Sequence, residues 1–531
     1  MPIRVEGDRF VDEHRRTLLL RGVNLGGSSK LPRTDGSFIG RPFPLEDADS
    51  HFSRLHRWGL TTLRLVVTWE AIEHAGPRQY DLEYLDYLEA LIRRAASHQL
   101  AVFIDFHQDV WSRFTGGDGA PGWTLAAAGF NLDTLHETGA AFLEARHPGP
   151  PPKMIWPTNA GKLGSATMFT LFFGADTFAP RTRIDGESAQ RFHRGLLGPR
   201  VVGQQRVNPG QLRAWRDGAR CLWLENGVWA NEAQPRLLEP RHFSHVGGRA
   251  VSFAEDFLGP FHAEGAARIH RLAPHLAVML QGEPFRRGPR WKGTGPAVWA
   301  PHWYDGYVLF MKDYRSFLAA DSFTQRPVFG ARRIRKSFEG QLARLATEAR
   351  ELGMPLLVGE LGIAFDLRGG RAFRTGDYAL QRAAMNRTLT AVEDAQVSAT
   401  LWNYSADNTN ARGDGWNGED LSIFSRDSPE EGRAIEAAVR PRPLALAGTL
   451  LRYGFELKSR RFELVMRHDP SVTAPSELYV PRLHYPQGAH FEVSAGRIDC
   501  DEQRATWTHG PSAAEQTVII SPGLAPVRAR G

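Results

Sequence analysis

The stretch Pro355-Leu-Leu-Val-Gly-Glu360 decides how the rest of the chain is interpreted. Its apolar residues form a short run bounded by Pro and Gly, and this pattern predicts a strand that is buried on both faces. The run ends on an acid, so Glu360 is expected at the carboxyl end of a buried strand, where α/β barrels carry their functional side chains. A solvated Glu with no role, just past the strand end, is the alternative. Partners at other strand ends would favour the first interpretation.

Strands and helices alternate through residues 1–444. Strands are predicted at residues 17–24, 60–69, 100–107, 275–280, 297–302, 355–360 and 398–404, and helices at 47–58, 81–98, 159–173, 252–272, 338–353, 379–395 and 429–439. Strands joined by helices over short loops are typical of a parallel α/β sheet. We therefore predict a (β/α)8 TIM barrel for residues 1–444. A long Gly- and Pro-rich excursion over residues 108–180 is of the kind that forms lids or binding walls.

The pattern changes near residue 445. Alternating apolar and polar residues appear in runs such as Arg461-Phe-Glu-Leu-Val-Met and Glu477-Leu-Tyr-Val, with turn residues between them. Such runs are typical of half-buried antiparallel strands. We therefore predict a C-terminal antiparallel β-sandwich domain over residues 445–531.

The composition excludes several classes of function. The chain has 531 residues and a formal charge of +6, but its basic residues are spread out, which argues against nucleic-acid binding. The cysteines, Cys221 and Cys500, lack a metal-binding spacing, so no metal or cofactor is expected and a reducing compartment is favoured. We find no signal peptide and no apolar run of about 18 residues. The expected location is therefore cytoplasmic, and the oligomeric state is left open.

Several predicted strands end on side chains that suit a neutral sugar. Acids and amides bind hydroxyls, and Trp covers the apolar face of a ring. Each side chain also has a plain structural explanation: Arg64 as a buried ion-pair partner, His107 as a core histidine, Trp402 as core packing. Their joint position at carboxyl ends favours a binding site instead. The residues concerned are Lys30, Arg64, Asp105, His107, His302, Tyr304, Glu360 and Trp402.

Longer strings around these residues resemble glycoside hydrolase family 5 of clan A. The similarity is greatest to endoglycoceramidases and the related glucosylceramide and steryl-glucoside β-glucosidases. The strings are His107-Gln-Asp-Val-Trp-Ser-Arg-Phe-Thr-Gly-Gly, Ala166-Thr-Met-Phe-Thr-Leu-Phe-Phe, Ala300-Pro-His-Trp-Tyr-Asp, and Thr400-Leu-Trp-Asn-Tyr-Ser-Ala-Asp-Asn with Trp416-Asn-Gly-Glu. The resemblance implies a retaining β-glycosidase that acts on a glycolipid, such as a glucosylceramide or a steryl glucoside.

The resemblance also implies a role for each residue. Glu360 is expected to be the nucleophile, held by Tyr304 and kept ionised by Arg64. Trp402 would form the floor under the sugar ring. The remaining residues would bind the substrate, and the long loops would line an apolar channel for the lipid. The full predicted substrate-binding set, which includes Arg64, Tyr304 and Trp402, is Lys30, Arg64, Asp105, His107, Asn208, His302, Tyr304 and Trp402.

The predicted site also requires a second carboxyl group. A retaining glycosidase needs a general acid/base about 5–5.5 Å from its nucleophile, and in this family it is the Glu of an Asn-Glu-Pro that ends the fourth strand. The chain has no Asn-Glu-Pro. Residues 201–210, with Asn208-Pro209, resemble that strand without its Glu. Glu283 is the candidate acid/base, although the short spacing to residue 297 predicts that it ends the fifth strand; Glu225 is another candidate.

Three functions stay open at this point. The first is a glycolipid β-glycosidase with Glu360 as nucleophile. The second is a catalytically impaired barrel that binds a glycolipid or carbohydrate, which would follow from loss of the acid/base. The third is an endo-β-glucanase of the same family. A lipid substrate would also imply transient contact with a membrane surface.

Overall fold

A computed structural model describes the chain in segments. They are residues 3–26, 29–30, 40–109, 111–115, 117–135, 137, 188–195, 198–206, 212–213, 215–219, 225–230, 236–239, 244–274, 276–282, 287–324, 326–415, 418–428, 430, 432–510 and 514–523. The predicted helix at 159–173 and most of the 108–180 excursion lie outside them. Among the described residues, no helix has both the length and the apolarity that crossing a bilayer requires.

Seven parallel strands of the described chain form the barrel. Neighbouring strands follow one another in sequence around it, and backbone pairing of Trp299 with Leu356 and of His302 with Glu360 closes the circle. The predicted barrel fold is therefore confirmed. The strands are Arg21–Leu25, Thr62–Thr68, Ala101–His107, Ala277–Leu280, Ala297–Trp299, Leu357–Leu361 and Ser398–Tyr404.

Helices surround the barrel where the sequence supplies caps and one apolar face. Asp81 caps its helix by accepting a hydrogen bond from the Tyr84 amide at 2.9 Å. Gly353 ends another with a φ of 69°, which glycine adopts without strain. The longer helices are Ala48–Arg57, Leu82–Ser97, Gly259–Leu272, Ala331–Leu352 and Ala379–Asp394. The short ones are Leu45–Asp47, Trp69–Glu73, Arg113–Thr115, Gly122–Ala127, Phe253–Leu258, Gly306–Met311, Leu367–Thr375 and Ile435–Ala438.

The structure corrects the predicted strand order. The segment expected as the fourth strand forms an antiparallel hairpin instead, in which Ser188–Gly195 pairs with Gly198–Arg206. This hairpin uses its backbone groups internally and is not part of the described barrel sheet. Ala277–Leu280, expected as the fifth strand, pairs directly with Ala101–His107, the third. The strand that precedes Glu283 therefore lies next to the third strand.

A β-sandwich of two antiparallel sheets follows the barrel. One sheet contains Arg442–Leu446, Ser476–Tyr479, Arg497–Asp501 and Arg504–Thr508, together with the N-terminal strands Arg4–Glu6, Arg9–Val11 and Thr17–Leu18. The other contains Gly448–Glu456, Arg461–His468, Ala489–Val493 and Glu515–Pro522. The predicted sandwich is present and also includes strands from the start of the chain. The domain boundary at residue 445 stays a prediction.

The N-terminal strands also close one end of the barrel. Phe10 and Leu18 are buried in one cluster with Phe103, Met279 and Leu357 from barrel strands. Apolar packing fills this end of the barrel. The carboxyl ends of the strands lie at the opposite end. Short pairs outside both sheets are Trp229–Ala230 with Arg236–Leu237, His245–Val246 with Arg249–Ala250, and Leu318–Ala320 with Pro327–Phe329.

Candidate active site

Glu360 lies near the carboxyl end of its strand and is 6% exposed. One carboxylate oxygen, Oε1, accepts a hydrogen bond from Arg64 Nη1 at 2.8 Å. The other, Oε2, accepts one from the Tyr304 hydroxyl at 3.1 Å and lies 3.2 Å from His302 Nδ1. Three side chains from two other strands or strand ends therefore fix the position of this carboxylate.

The surroundings of Glu360 favour its ionised form. Burial by itself would raise the pKa of the carboxyl group, but the contact with His302 and the positive charges of Arg64, His107 and Lys30 together outweigh burial and lower that pKa below its usual value. His302 itself stays neutral near pH 7, because burial lowers its pKa to about 4. An ionised, oriented carboxylate can act as a nucleophile toward an electrophilic carbon.

Arg64 connects two acids inside the barrel. Its guanidinium is fully buried, and its Nη2 lies 2.7 Å from Asp105 Oδ2 while Nη1 faces Glu360. Asn24 accepts a further hydrogen bond from Nη1 and donates its own amide to Gly359 O at 2.8 Å. The planar fork of arginine suits such a double contact. The ion-pair interpretation of Arg64 therefore holds, and one of its partners is Glu360.

Asp105 and His107 form a second pair of side chains beside Arg64. His107 Nδ1 lies 2.9 Å from Asp105 Oδ2, and the Gln281 amide donates a hydrogen bond to Asp105 Oδ1. Burial opposes protonation of His107, and so does Lys30, but Asp118, Asp105 and Asp109 raise its pKa to about 10. His107 therefore carries a positive charge at neutral pH.

Lys30 lies between two further acids. Its ammonium nitrogen is 2.7 Å from Asp109 Oδ2 and 3.4 Å from Asp118 Oδ2. Candidate ligand atoms of His107, Asp109 and Asp118 lie within 4.8 Å of one another, close enough to hold a metal ion. The Lys30 ammonium, however, already supplies a cation to both acids. The expectation of no bound metal stays a prediction.

Trp402 covers one side of this group. Its ring is stacked parallel to His107, with centroids 5.8 Å apart, and Lys30 Nζ lies 4.7 Å from its centroid. Its indole Nε1 donates a hydrogen bond to Glu419 Oε2 at 3.1 Å. Burial raises the pKa of Glu419 to about 7, against the opposing charge of Lys30. The peptide bond between Trp402 and Asn403 is cis.

Four partly buried aromatic rings lie beside the ends of the second and third strands. Trp69 is their centre, with ring centroids 6.4 Å from Trp111, 5.5 Å from Trp123 and 5.6 Å from Phe261. We call these four residues the aromatic wall. Partly buried aromatic rings of this kind offer a large apolar contact surface.

Comparison with known proteins adds to this geometry. Residues 12–133 match the family model described as Cellulase (glycosyl hydrolase family 5), and residues 440–521 match the Glycoside hydrolase family 5 C-terminal domain. The chain is 33% identical to a glucosylceramidase of Rhizopus delemar, over 96% of this chain and 94% of that protein. The chain belongs to glycoside hydrolase family 5.

Two further comparisons show how much of the chain the similarity covers. An ergosteryl-beta-glucosidase of Saccharomyces cerevisiae is 27% identical over 95% of this chain and 94% of its own length. A solved structure of Cryptococcus neoformans sterylglucosidase 1 superposes with a TM-score of 0.86 at 28% identity, covering 98% of this chain and 97% of that one. The similarity therefore extends through the barrel and the sandwich.

Most of the residues predicted from the sequence lie together in this family 5 barrel. The structure brings together Lys30, Arg64, Asp105, His107, His302, Tyr304, Glu360 and Trp402. Glu283 and Asn208 lie outside the described residues. Glu225 is exposed.

Sequence reasoning did not select five other residues of the site. Asp109 and Glu419 stand in or directly beside the family strings, and Asn24 ends the first strand, so a signal existed for these three. Gln281 precedes Glu283 by two residues, and its partner, Asp105, lies 176 positions earlier in the chain. Asp118 follows no pattern that would have pointed to it. The five are Asn24, Asp109, Asp118, Gln281 and Glu419.

Proposed function

We propose that this family 5 protein hydrolyses the β-glucosidic bond of a glycolipid with retention of configuration, and that Glu360 is its nucleophile. The observation that carries the proposal is the Glu360 carboxylate, held by Arg64 at 2.8 Å and by Tyr304 at 3.1 Å. Its lowered pKa keeps it ionised at neutral pH. Glu360 would attack the anomeric carbon and break its bond to the aglycone oxygen, which takes a proton from the general acid; water, deprotonated by the same group, would then release the sugar from the glycosyl-enzyme.

The neighbouring side chains would bind the glucose ring. Trp402 offers an apolar face, and the charged groups of Lys30, Asp105 and His107 offer donors and acceptors for hydroxyls. These groups are already paired with one another, so they are held in place before a sugar arrives. Such preorganisation favours binding without a large ordering cost.

We propose Glu283 as the general acid/base. From the sequence, Glu283 was expected to end the fifth strand, whereas the acid/base of this family ends the fourth. Among the described residues, Ala277–Leu280 pairs directly with the third strand, as a fourth strand would. Gln281, at the end of this strand, donates to Asp105 in the site. Glu283 follows Gln281 by two residues, a spacing that supports a carboxyl group at the same edge of the site.

A second candidate function is a barrel that binds the glycolipid but turns it over poorly. It is favoured by the hairpin of Ser188–Gly195 and Gly198–Arg206. This hairpin stands in place of the expected fourth strand, and the chain has no Asn-Glu-Pro. Loss of general acid/base help slows hydrolysis by about 10²–10⁴-fold. This candidate predicts binding of a glycolipid with little release of glucose.

The aglycone is proposed to be a lipid. The aromatic wall of Trp69, Trp111, Trp123 and Phe261 offers apolar contacts beside the sugar site. Relatives named glucosylceramidase and ergosteryl-beta-glucosidase support this class of substrate. A lipid substrate lies in a bilayer, so we also propose transient contact with a membrane surface. A reducing, cytoplasmic location fits the exposed thiol of Cys500, and imaging of a fluorescent fusion would test it.

The test is hydrolysis of an aryl β-glucoside, of glucosylceramide and steryl glucoside in detergent, and of cellulose oligomers. We expect glucose from the first three substrates and no product from the fourth, and loss of activity in Glu360→Gln. Unchanged turnover in Glu360→Gln would exclude Glu360 as the nucleophile. Activity on cellulose oligomers alone would favour an endo-β-glucanase instead.

A further inference from the structure

One connection of the barrel carries an unusual amount of exposed apolar surface. It joins Ala297–Trp299 to the helix Ala331–Leu352 and contains the short helix Gly306–Met311 and a hairpin of Leu318–Ala320 with Pro327–Phe329. Three large apolar side chains in it are exposed, Met311 by 64%, Phe317 by 58% and Phe329 by 56%. Exposed apolar side chains that cluster in this way mark an interaction surface.

The two phenylalanines lie together at one end of the hairpin. Phe329 is paired with Leu318, the residue after Phe317, and the Gly330 amide donates a hydrogen bond to Phe317 O at 2.8 Å. This places both rings within the same few residues of folded backbone. We call this end of the hairpin, with the exposed side chains of Phe317 and Phe329, the projection.

The projection is fixed to the barrel by buried polar contacts. Asp305 accepts hydrogen bonds from the Arg387 guanidinium and, at 3.3 Å, from the Ala320 amide. Gln341 Oε1 accepts from the Ser322 amide at 3.1 Å and from Trp303 Nε1 at 3.0 Å. These contacts hold the hairpin in place on the barrel, while Phe317 and Phe329 stay exposed to solvent.

Basic side chains flank the projection in the sequence. Residues 331–338 include four basic side chains before the first acid of the helix, Glu339. One of them, Arg335, pairs with Asp394 at 2.6 Å. The others, with Arg326 of the hairpin, are exposed and make no ion pair with any carboxylate of the described chain; they are Arg332, Arg333 and Lys336.

This surface lies on the same side of the barrel as the site. The connection leaves the strand end beside Tyr304, and the Tyr304 amide donates to Ser322 Oγ at 3.3 Å. Because the helix Ala331–Leu352 leads back to the start of the strand that carries Glu360, its basic first turn lies at the carboxyl ends of the strands. A membrane that meets Phe317 and Arg332 would therefore face the open end of the barrel.

We propose that Phe317, Phe329 and the basic residues Arg326, Arg332, Arg333 and Lys336 form a docking surface for an anionic lipid bilayer. The inference rests on the proposed function, because a glycolipid substrate has to be taken from a bilayer. Exposed aromatic rings beside unpaired basic side chains are the combination that binds interfacially: the rings enter the headgroup region and the cations attract anionic lipids. A protein partner that bound here would need acidic side chains opposite these cations and hydrogen-bonding groups matched to this surface.

The test is co-sedimentation of the purified full-length protein with vesicles that contain no glycolipid. Phosphatidylcholine vesicles are compared with vesicles that also contain phosphatidylserine. The variants are Phe317→Ser with Phe329→Ser, and Arg332→Glu with Arg333→Glu. The matched control is Arg482→Glu with Leu483→Ser, an exposed basic and apolar pair in the sandwich. Circular dichroism and activity on a soluble aryl β-glucoside show whether each variant is folded.

We expect wild type and control to sediment with the anionic vesicles and to be released by salt. Each substituted pair should weaken this partitioning by about tenfold or more, and aryl-glucoside activity should not change. Equal sedimentation of all variants, or none by the wild type, would overturn the proposal. So would a dimer in light scattering that the phenylalanine variant abolishes, because a second copy would then cover the surface. Vesicle binding without any glycosidase activity would reject the proposed function alone.

Discussion

Arg64 and Glu360 are 296 residues apart in the sequence and 2.8 Å apart in the barrel. The second strand carries the guanidinium and the strand Leu357–Leu361 carries the carboxylate. Because Arg64 also pairs with Asp105 at 2.7 Å, its single charge is shared by two buried acids. The ionisation of Glu360 therefore depends on a residue that need not touch the substrate.

Arg64→Lys should lower kcat/KM for an aryl β-glucoside by about tenfold or more, because the point charge of lysine cannot replace the double contact of the planar guanidinium. A lysine cannot reach both acids in the same plane, so the pKa of Glu360 should rise. The measurement is the pH dependence of kcat/KM, whose acidic limb should move to higher pH. Arg497→Lys, at the exposed pair with Asp499, is the control. An unmoved acidic limb would contradict this role of Arg64.

The pH dependence of stability should report the charge on His107. Its pKa in the folded protein is about 10, above the unfolded value of about 6.5. The folded state therefore binds the proton more tightly, and this stabilisation is fully present below about pH 6.5 and lost as the pH rises through about 10. Thermal melting between neutral and alkaline pH should show the loss. His107→Gln should reduce the slope; a wild-type slope in that variant would rule out this source.

The ring of Trp402 should matter more than its indole nitrogen. Trp402→Ala removes the surface stacked against His107 and should lower kcat/KM by about tenfold or more. Trp402→Phe keeps an aromatic face but releases Glu419 from its 3.1 Å hydrogen bond, and it should have a smaller effect. Steady-state kinetics of both variants on one aryl β-glucoside tests this order. Equal losses in the two variants would show that the hydrogen bond is the important contact.

Azide should decide whether Glu283 is the general acid/base. In Glu283→Gln the nucleophile is kept, so a substrate with an activated leaving group should still form the glycosyl-enzyme. Azide, which needs no general base, should then restore turnover and yield a β-glucosyl azide. Chromatography of the product provides the measurement, and Glu225→Gln is the control. Wild-type activity in Glu283→Gln would exclude the assignment, and rescue of the unsubstituted protein by azide would favour the impaired barrel.

Local patterns were enough to predict the barrel and most of its site. Strands such as Leu357–Leu361 are short apolar runs, and a single acid, His or Trp at the end of each run marks where the pocket lies. The strand order was not predictable, because the pairing of Ala277–Leu280 with Ala101–His107 joins segments far apart in sequence. Asn24 and Gln281 were missed for the same reason: their partners become visible only when the strands are brought together.

The pairing of Leu18 with Ala445 has a consequence for how the chain is made. The sheet that begins with residues 4–6 includes Arg504–Thr508, so it cannot be completed on the ribosome until synthesis has passed residue 508. Until then Phe10 and Leu18 lack part of their native cover. Emergence of residues 442–508 from the ribosome should therefore commit the nascent chain to its final fold. Chains truncated before this segment should be degraded by proteases.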